Sequence, residues 1–201
     1  MITNAPLQTK TIVHTPSFEL RHAHTTHGDR LQYVSLSRTV SRTVLAKVRD
    51  RFLERYQLPE YQTVCFLGVA SSGYTLASAL CEGAGSQLGE DRVYYSGIDL
   101  KRPLYFPESW LAPLRNMHVI IVDNSIESGQ TARRMLATLE EHTIKAVAFV
   151  KVIDYEDVLE QTTIAALHKE FDIDFVSLFS ANEILNTFQY REVKLEIPGC
   201  I

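Results

Sequence analysis

The sequence predicts an α/β fold, a twisted and mainly parallel sheet with helices on both faces, and three observations predict it. Continuous apolar runs, of which Thr63–Val69 and Val119–Val122 are the clearest, suit strands covered on both sides. Between them lie stretches with helical periodicity, at the spacing of strand–helix–strand units. The two turns richest in Gly, Ser and Thr, 68–75 and 123–131, directly follow these runs, at the strand ends where open parallel sheets bind ligands.

Taken in order, residues 18–40 read as short strands joined by a polar turn at His27-Gly28-Asp29. A helix over Val40–Tyr56 sets Val44, Leu45, Val48 and Phe52 at helical spacing, with Arg42, Lys47, Arg49, Arg51 and Arg55 on its outer face. Pro59 ends it, and 63–69 is the first buried strand. The turn Ala70-Ser71-Ser72-Gly73 leads into a helix over Tyr74–Cys81, and Arg92–Ser96 is the next strand. Residues 97–116 hold three prolines and Trp110 with no clean period, which predicts a long irregular loop. Val119–Val122 is a buried strand, Asp123–Gly129 a polar turn, and Thr131–Glu141 a helix with Met135, Leu136 and Leu139 inward. A strand over Ala146–Ile153, a helix over Glu156–His168, a strand over Phe175–Leu178 and a short helix over Ala181–Thr187 complete the pattern.

Composition bounds what such a fold can do. The 201 residues, 45% of them hydrophobic, are enough for one domain with a substantial core, and no linker, repeat or low-complexity tract divides them. A net charge of −4 gives no overall positive field, so neither nucleic acid nor an anionic membrane is an expected partner. Three cysteines without a CxxC pair suit a reduced, cytoplasmic setting, and no run reaches the roughly 18 apolar residues that span a bilayer. No metal site is expected at His22, His24 and His27, because no cysteine or carboxylate stands at ligand spacing from them.

The turn at 123–131 carries the most specific chemistry. After four apolar residues comes Asp123, placed to accept from sugar hydroxyls, then Ser128-Gly129-Gln130-Thr131 opening a helix. Gly129 lets the backbone approach a ligand, and hydroxyls, free N–H groups and the helix dipole favour a phosphate. The other turn, Gly68–Gly73, admits two readings: a pyrophosphate cradle, or a tight turn that lets a helix pack on a strand. Trp110, Tyr94, Tyr95 and Tyr105 could stack on a base or cover a loop or contact.

Val119–Thr131 resembles the phosphoribosyl-pyrophosphate (PRPP) motif of the type I phosphoribosyltransferases. The likeness extends along the chain to the orotate branch. Phe18-Glu19-Leu20, Gly28 and Tyr33 resemble its N-terminal hood, 68–77 its pyrophosphate loop, and Phe175–Leu185 its closing strand and helix. It implies one domain over 1–201, with a hood at 1–40 and a parallel-sheet core at 60–201. It also implies Mg2+-dependent transfer of ribose 5-phosphate from PRPP to a nucleobase-like nitrogen, with release of pyrophosphate, in a homodimer. By resemblance, Asp123 and Asn124 hold the ribose, Ser128, Gly129, Gln130 and Thr131 the 5′-phosphate, and Ala70, Ser71, Ser72 and Gly73 the pyrophosphate. Lys101 and Arg102, in the place of the mobile catalytic loop, take the leaving-group charge, and Tyr155 meets the base. The chain departs from the family pattern at Asn124 (an acid in the motif), Glu127 (often Thr) and Ser72 (often Lys). It also lacks Lys-x-His-Gly in the loop, and Tyr155 stands where the orotate branch has an arginine. These departures leave a PRPP- or nucleotide-binding sensor as the alternative to a transferase.

Overall fold

The computed structural model describes residues 11–14, 18–25, 28–36, 42–98, 108–126, 128–155, 158–180, 183 and 191–194. Three strands come first, β1 (Thr11–His14), β2 (Phe18–Thr25) and β3 (Gly28–Leu36). β2 and β3 pair antiparallel from Phe18↔Leu36 to Thr25↔Gly28, so the expected hairpin forms, with a register shift between Leu20 and His22. β1 pairs antiparallel with β2 and also with β9 (Arg191–Lys194). These strands form a four-stranded sheet, β3-β2-β1-β9, whose last strand lies more than 150 positions along the chain from the other three.

Next, α1 (Arg42–Arg55) buries Val44, Val48 and Phe52, spaced four apart on one face. The parallel domain follows: β4 (Val64–Val69), α2 (Ala70–Leu88), a single 3-10 turn at Glu90–Arg92, and β5 (Val93–Ile98). Then come α3 (Glu108–Leu114), β6 (His118–Asp123), α4 (Gln130–Glu141), β7 (Ala146–Asp154), α5 (Val158–Phe171) and β8 (Asp174–Ser180). All five strands are parallel, in the order β5-β4-β6-β7-β8.

Side chains of a strand alternate between faces, and here each face has its own core. Phe66, Ile120, Val122 and Val150 pack with Val48, Phe52, Leu76 and Leu80 of α1 and α2. Leu67, Ile121 and Phe149 pack on the other face with Met135, Leu136 and Leu139 of α4 and Leu167 of α5. That two-sided covering is why the strands read as unbroken apolar runs. Among the described residues, no helix is long and apolar enough to cross a membrane.

Two elements differ most from expectation. α2 begins at Ala70 and runs to Leu88, because Ala70 makes the whole strand-to-helix turn alone with φ +54°. The expected loop 97–116 contains α3, whose buried Leu111 and Leu114 are too few to show a period in sequence. The helix expected at 181–187 lies mostly outside the described residues, although Glu183 is helical. Its start carries a capping box: Glu183 N donates to Ser180 Oγ (3.1 Å) and Ser180 N to Glu183 Oε2 (2.8 Å).

α1 fastens to this end of the chain through its basic face. Arg51 Nη2 donates to Glu183 Oε1 at 3.1 Å with its guanidinium 5.3 Å from the Phe179 ring centroid, and Arg55 Nη1 donates to the Ser177 carbonyl at 2.6 Å.

Candidate functional site

In the parallel sheet the second strand of the chain, β5, lies to one side of β4, and the third, β6, lies to the other. The connections leaving β4 and β6 therefore diverge at the carboxyl edge, and an open α/β sheet binds ligands in that crevice. Both turns singled out in the sequence fall there.

Close backbone contact sets the first turn. A Cβ on Gly68 would lie 2.3 Å from Gly73 C and O, and one on Gly73 would lie 2.6 Å from the Val122 carbonyl oxygen. These glycines therefore let the start of α2 sit directly on β4 and β6, which is the packing reading of Gly68–Gly73. Packing does not account for Ser72, which is half-buried and faces the cleft between the two turns.

The second turn starts at Asp123, half-buried at the end of β6, whose Oδ1 accepts from Asn124 N at 2.7 Å. The Asn124 carbonyl accepts from Ile153 N at 2.9 Å, so β7 braces the turn. Asn124 Oδ1 is buried and has no hydrogen-bond partner among the described residues. A buried acceptor in that state lacks about 1–3 kcal/mol of compensation, which a ligand donor or water would supply. Gly129 caps α4 at φ +68° with no side-chain bond, and its carbonyl accepts the helical bond from Arg133 N at 2.8 Å. The first-turn amides of α4 thus carry the positive end of the helix without a side-chain cap.

Ser72, Asp123, Asn124, Ser128, Gly129 and Thr131 all line one cleft of about 340 Å³, with Phe149 among its apolar walls. Asp123 is the one charged residue lining it among the described residues. Not every expected residue joins them. Gln130 is exposed at the start of α4 without lining the cleft, Gly73 is buried beneath it, and Ala70 is exposed at the left-handed turn. Lys101, Arg102 and Glu127 lie outside the described residues, as do His27, Tyr105 and the side chains of Ser71 and Trp110. Tyr94 and Tyr95 are exposed on β5 at the sheet edge, Tyr95 with its ring 5.3 Å from that of Tyr74, and neither lines the cleft. A larger cleft of about 650 Å³ runs between α1 and α2, lined by Arg42, Arg49, Thr75 and Glu82 among others. Size favours that groove, whereas strand ends, helix N-terminus and orphaned acceptor converge on the smaller one, and these chemical features decide for it.

One cluster had no counterpart in the expected site. Lys151 and Glu160 are 0% and 1% exposed, and Lys151 Nζ donates to Glu160 Oε1 at 2.6 Å and lies 3.2 Å from Asp154 Oδ1. Glu160 Oε2 accepts from Tyr155 N at 2.7 Å. Burial raises the Glu160 carboxyl above its ordinary range, against the lowering effect of Lys151. The signal was present in sequence: a lysine inside AVAFVKVID, an otherwise apolar strand, requires a buried partner. Tyr155, expected at the base, is half-buried and held through its backbone by this cluster.

No family model and no curated protein sequence matches the chain. Solved structures do. The orotate phosphoribosyltransferase of Aeropyrum pernix superposes over 83% of this chain and 89% of its own, with TM-score 0.59 and 16% identity. That of Mycobacterium tuberculosis H37Rv covers 87% and 92% with TM-score 0.54 and 14% identity. The adenine phosphoribosyltransferase of Leishmania donovani covers 71% and 67% with TM-score 0.53 and 16% identity. With the strand order, the two-sided helix packing and these superpositions together, the chain has the type I phosphoribosyltransferase fold.

Proposed function

We propose that the protein is a phosphoribosyltransferase that binds PRPP with Mg2+ and transfers its ribose 5-phosphate to a nucleobase-like nitrogen. The observation that carries this reading is the convergence of Asp123, Asn124, Ser128, Gly129, Thr131 and Ser72 on one cleft at the N-terminus of α4. In this reading the α4 amides, Ser128 and Thr131 hold the 5′-phosphate, and Asp123 and Asn124 hold the ribose hydroxyls. Ser72 and its turn face the pyrophosphate. The C1–O bond to pyrophosphate breaks and a C1–N bond forms, so the site must accommodate a highly anionic leaving group. Asp123 and Asn124 Oδ1 are hard oxygen donors of the kind that suits magnesium, which keeps most of its shell from water and substrate phosphate. Among the described residues no group of three His, Cys, Asp or Glu could hold a metal, so two donors would share it with the ligand. When bound, magnesium would neutralise charge on the pyrophosphate. Lys101 and Arg102 belong to the same proposal as partners of that charge, as do a homodimeric assembly and a cytoplasmic setting.

A second reading, a PRPP or nucleotide sensor, is favoured by Asn124, which puts a neutral amide where the resembled motif has an acid. Calorimetry with PRPP and Mg2+, ribose 5-phosphate and nucleoside 5′-monophosphates, followed by a pyrophosphate-release assay across a panel of bases, separates the two. Turnover identifies the transferase, and binding without turnover identifies the sensor. Asp123→Asn should weaken ribose 5-phosphate at least tenfold, about 1.4 kcal/mol, with little change in melting temperature. Wild-type protein that binds none of these ligands refutes both readings.

A further inference from the structure

We propose that Lys151 and Glu160 are positioning residues that hold the Asn124 turn, and with it Asn124 Oδ1, in place to accept from a ligand hydroxyl beside the phosphate site. The proposal rests on the phosphoribosyl reading above and deepens it, naming residues outside the cleft that set its affinity for the sugar. A buried ion pair is a poor way to stabilise a fold, because desolvating two charges offsets most of their attraction. What a short, enclosed pair does well is fix geometry, and this one encloses the segment that braces the turn. Ile121 and Phe149 share one core face, so Asp123 and Lys151, each two residues further along its strand, point to that face too. Asp123↔Lys151 is also the final register pair between β6 and β7. Beyond it the chain leaves β6 as the Asn124 turn, and a backbone bond from Ile153 N to the Asn124 carbonyl, 2.9 Å long, ties that turn to β7.

That N–H lies inside a clamped span. Lys151 Nζ reaches Asp154 Oδ1 at 3.2 Å, closing an ion pair over residues 151–154, and donates to Glu160 Oε1 at 2.6 Å. Glu160, in the first turn of α5, gives its other oxygen, Oε2, to Tyr155 N at 2.7 Å. The end of β7 is thereby fastened on both sides of Ile153, and the donor that sets the Asn124 carbonyl is held in position. Asn124 depends on such a brace. It lines the cleft, and its Oδ1 is buried with no hydrogen-bond partner among the described residues, so no bond to that oxygen orients the amide before a ligand arrives. The carbonyl bond fixes where the side chain starts, and an acceptor displaced from that place loses its hydrogen bond steeply with angle and distance.

A mutant cycle on sugar and phosphate binding tests the proposal. Lys151→Met/Glu160→Leu removes both charges together, avoiding the lone buried charge that would unfold a single variant. Lys151→Met/Glu160→Gln also removes them but keeps an oxygen for Tyr155 N, and it carries the cycle if the leucine pair does not fold. Each pair is made alone and with Asn124→Ala, and the proteins are titrated with ribose 5-phosphate and with inorganic phosphate in magnesium-free buffer. Amide hydrogen exchange at Ile153 is measured without ligand. The leucine pair should bind ribose 5-phosphate at least fivefold more weakly than wild type, keep inorganic phosphate within twofold, and exchange the Ile153 amide at least tenfold faster. In the Asn124→Ala background the same pair should cost less than twofold further, because the oxygen it positions is already gone. The glutamine pair should show the same pattern with a loss of at least threefold for ribose 5-phosphate. Additive losses in the Asn124→Ala background, equal loss of inorganic phosphate, or unchanged exchange at Ile153 would overturn the proposal and leave the phosphoribosyl reading standing. A wild type that does not bind ribose 5-phosphate overturns that reading and the proposal together.

Discussion

Replacing one hydrogen by a methyl at two glycines near the same helix should have opposite effects. At Gly68 the added Cβ would stand 2.3 Å from two Gly73 backbone atoms and 2.4 Å from Tyr74 N, where ordinary contact begins near 3.4 Å. None of these atoms can swing aside, so Gly68→Ala must push the start of α2 about 1 Å off β4. Leu76, Ala77 and Leu80, all fully buried in that seam, lose contact as it opens. Overpacking costs about 1–3 kcal/mol where side chains can yield. Against rigid backbone the upper end applies, about 3 kcal/mol, which for a chain of this size lowers Tm by roughly 6–12 °C. Gly85, inside α2, has Glu90 atoms no nearer than 3.7 Å to its Cβ. Gly85→Ala should therefore raise stability by about 0.5–1 kcal/mol by restricting the unfolded chain. Thermal unfolding by circular dichroism reads both. A Gly68→Ala protein melting within 2 °C of wild type would refute the claim that backbone contact between β4 and α2 builds the first turn.

Two further outcomes are expected. Gly129→Ala should destabilise by about 2 kcal/mol, since φ is +68° and its Cβ would meet Thr163 Cγ2 at 2.4 Å. Thr163→Ser in the same chain removes that methyl and should restore about half the loss in a denaturant-melt double-mutant cycle. His118, whose Nε2 lies 2.8 Å from Tyr56 Oη and whose Nδ1 lies 3.1 Å from Gln62 Oε1, has its pKa lowered by burial. Gln62 Oε1 can only accept, so Nδ1–H donates to it and Nε2 accepts from the Tyr56 hydroxyl, which burial, with Asp174 nearby, pushes up to about 12. The unfolded imidazole then takes a proton at a pH where the folded one does not. Its contribution is present above the ordinary value near 6.5 and is lost as pH falls below it. Urea unfolding at pH 7.5 and 5.5 should show a smaller loss for His118→Gln than for wild type.

Much of this was legible in the sequence, and the misses have physical causes. The parallel strands were visible because burial on both faces leaves unbroken apolar runs, as in Val64–Val69. The cleft residues Asp123, Ser128, Gly129 and Thr131 were legible because strand, acid, glycine and hydroxyl follow one another along the chain. β1 and β9 were not, being four residues each, with pairing across more than 170 residues that no local pattern encodes. The start of α2 was hidden because Ala70-Ser71-Ser72-Gly73 has turn composition, while one left-handed alanine makes the turn. Lys151 and Glu160 stand nine residues apart on different elements, so no helical or strand period links them.

The fastening of α1 to β8 carries a kinetic consequence. Arg55 reaches Ser177 across 122 positions and Arg51 reaches Glu183 across 132, so a helix that precedes the whole parallel sheet is anchored on its last strand. Contacts of such long sequence separation form late, because the intervening chain must be ordered before they return any free energy. The domain accordingly closes like a clasp. During synthesis, the far end of α1 waits for β8 to leave the ribosome, and folding kinetics should show that final docking as a step slower than formation of the β4–α2–β5 unit.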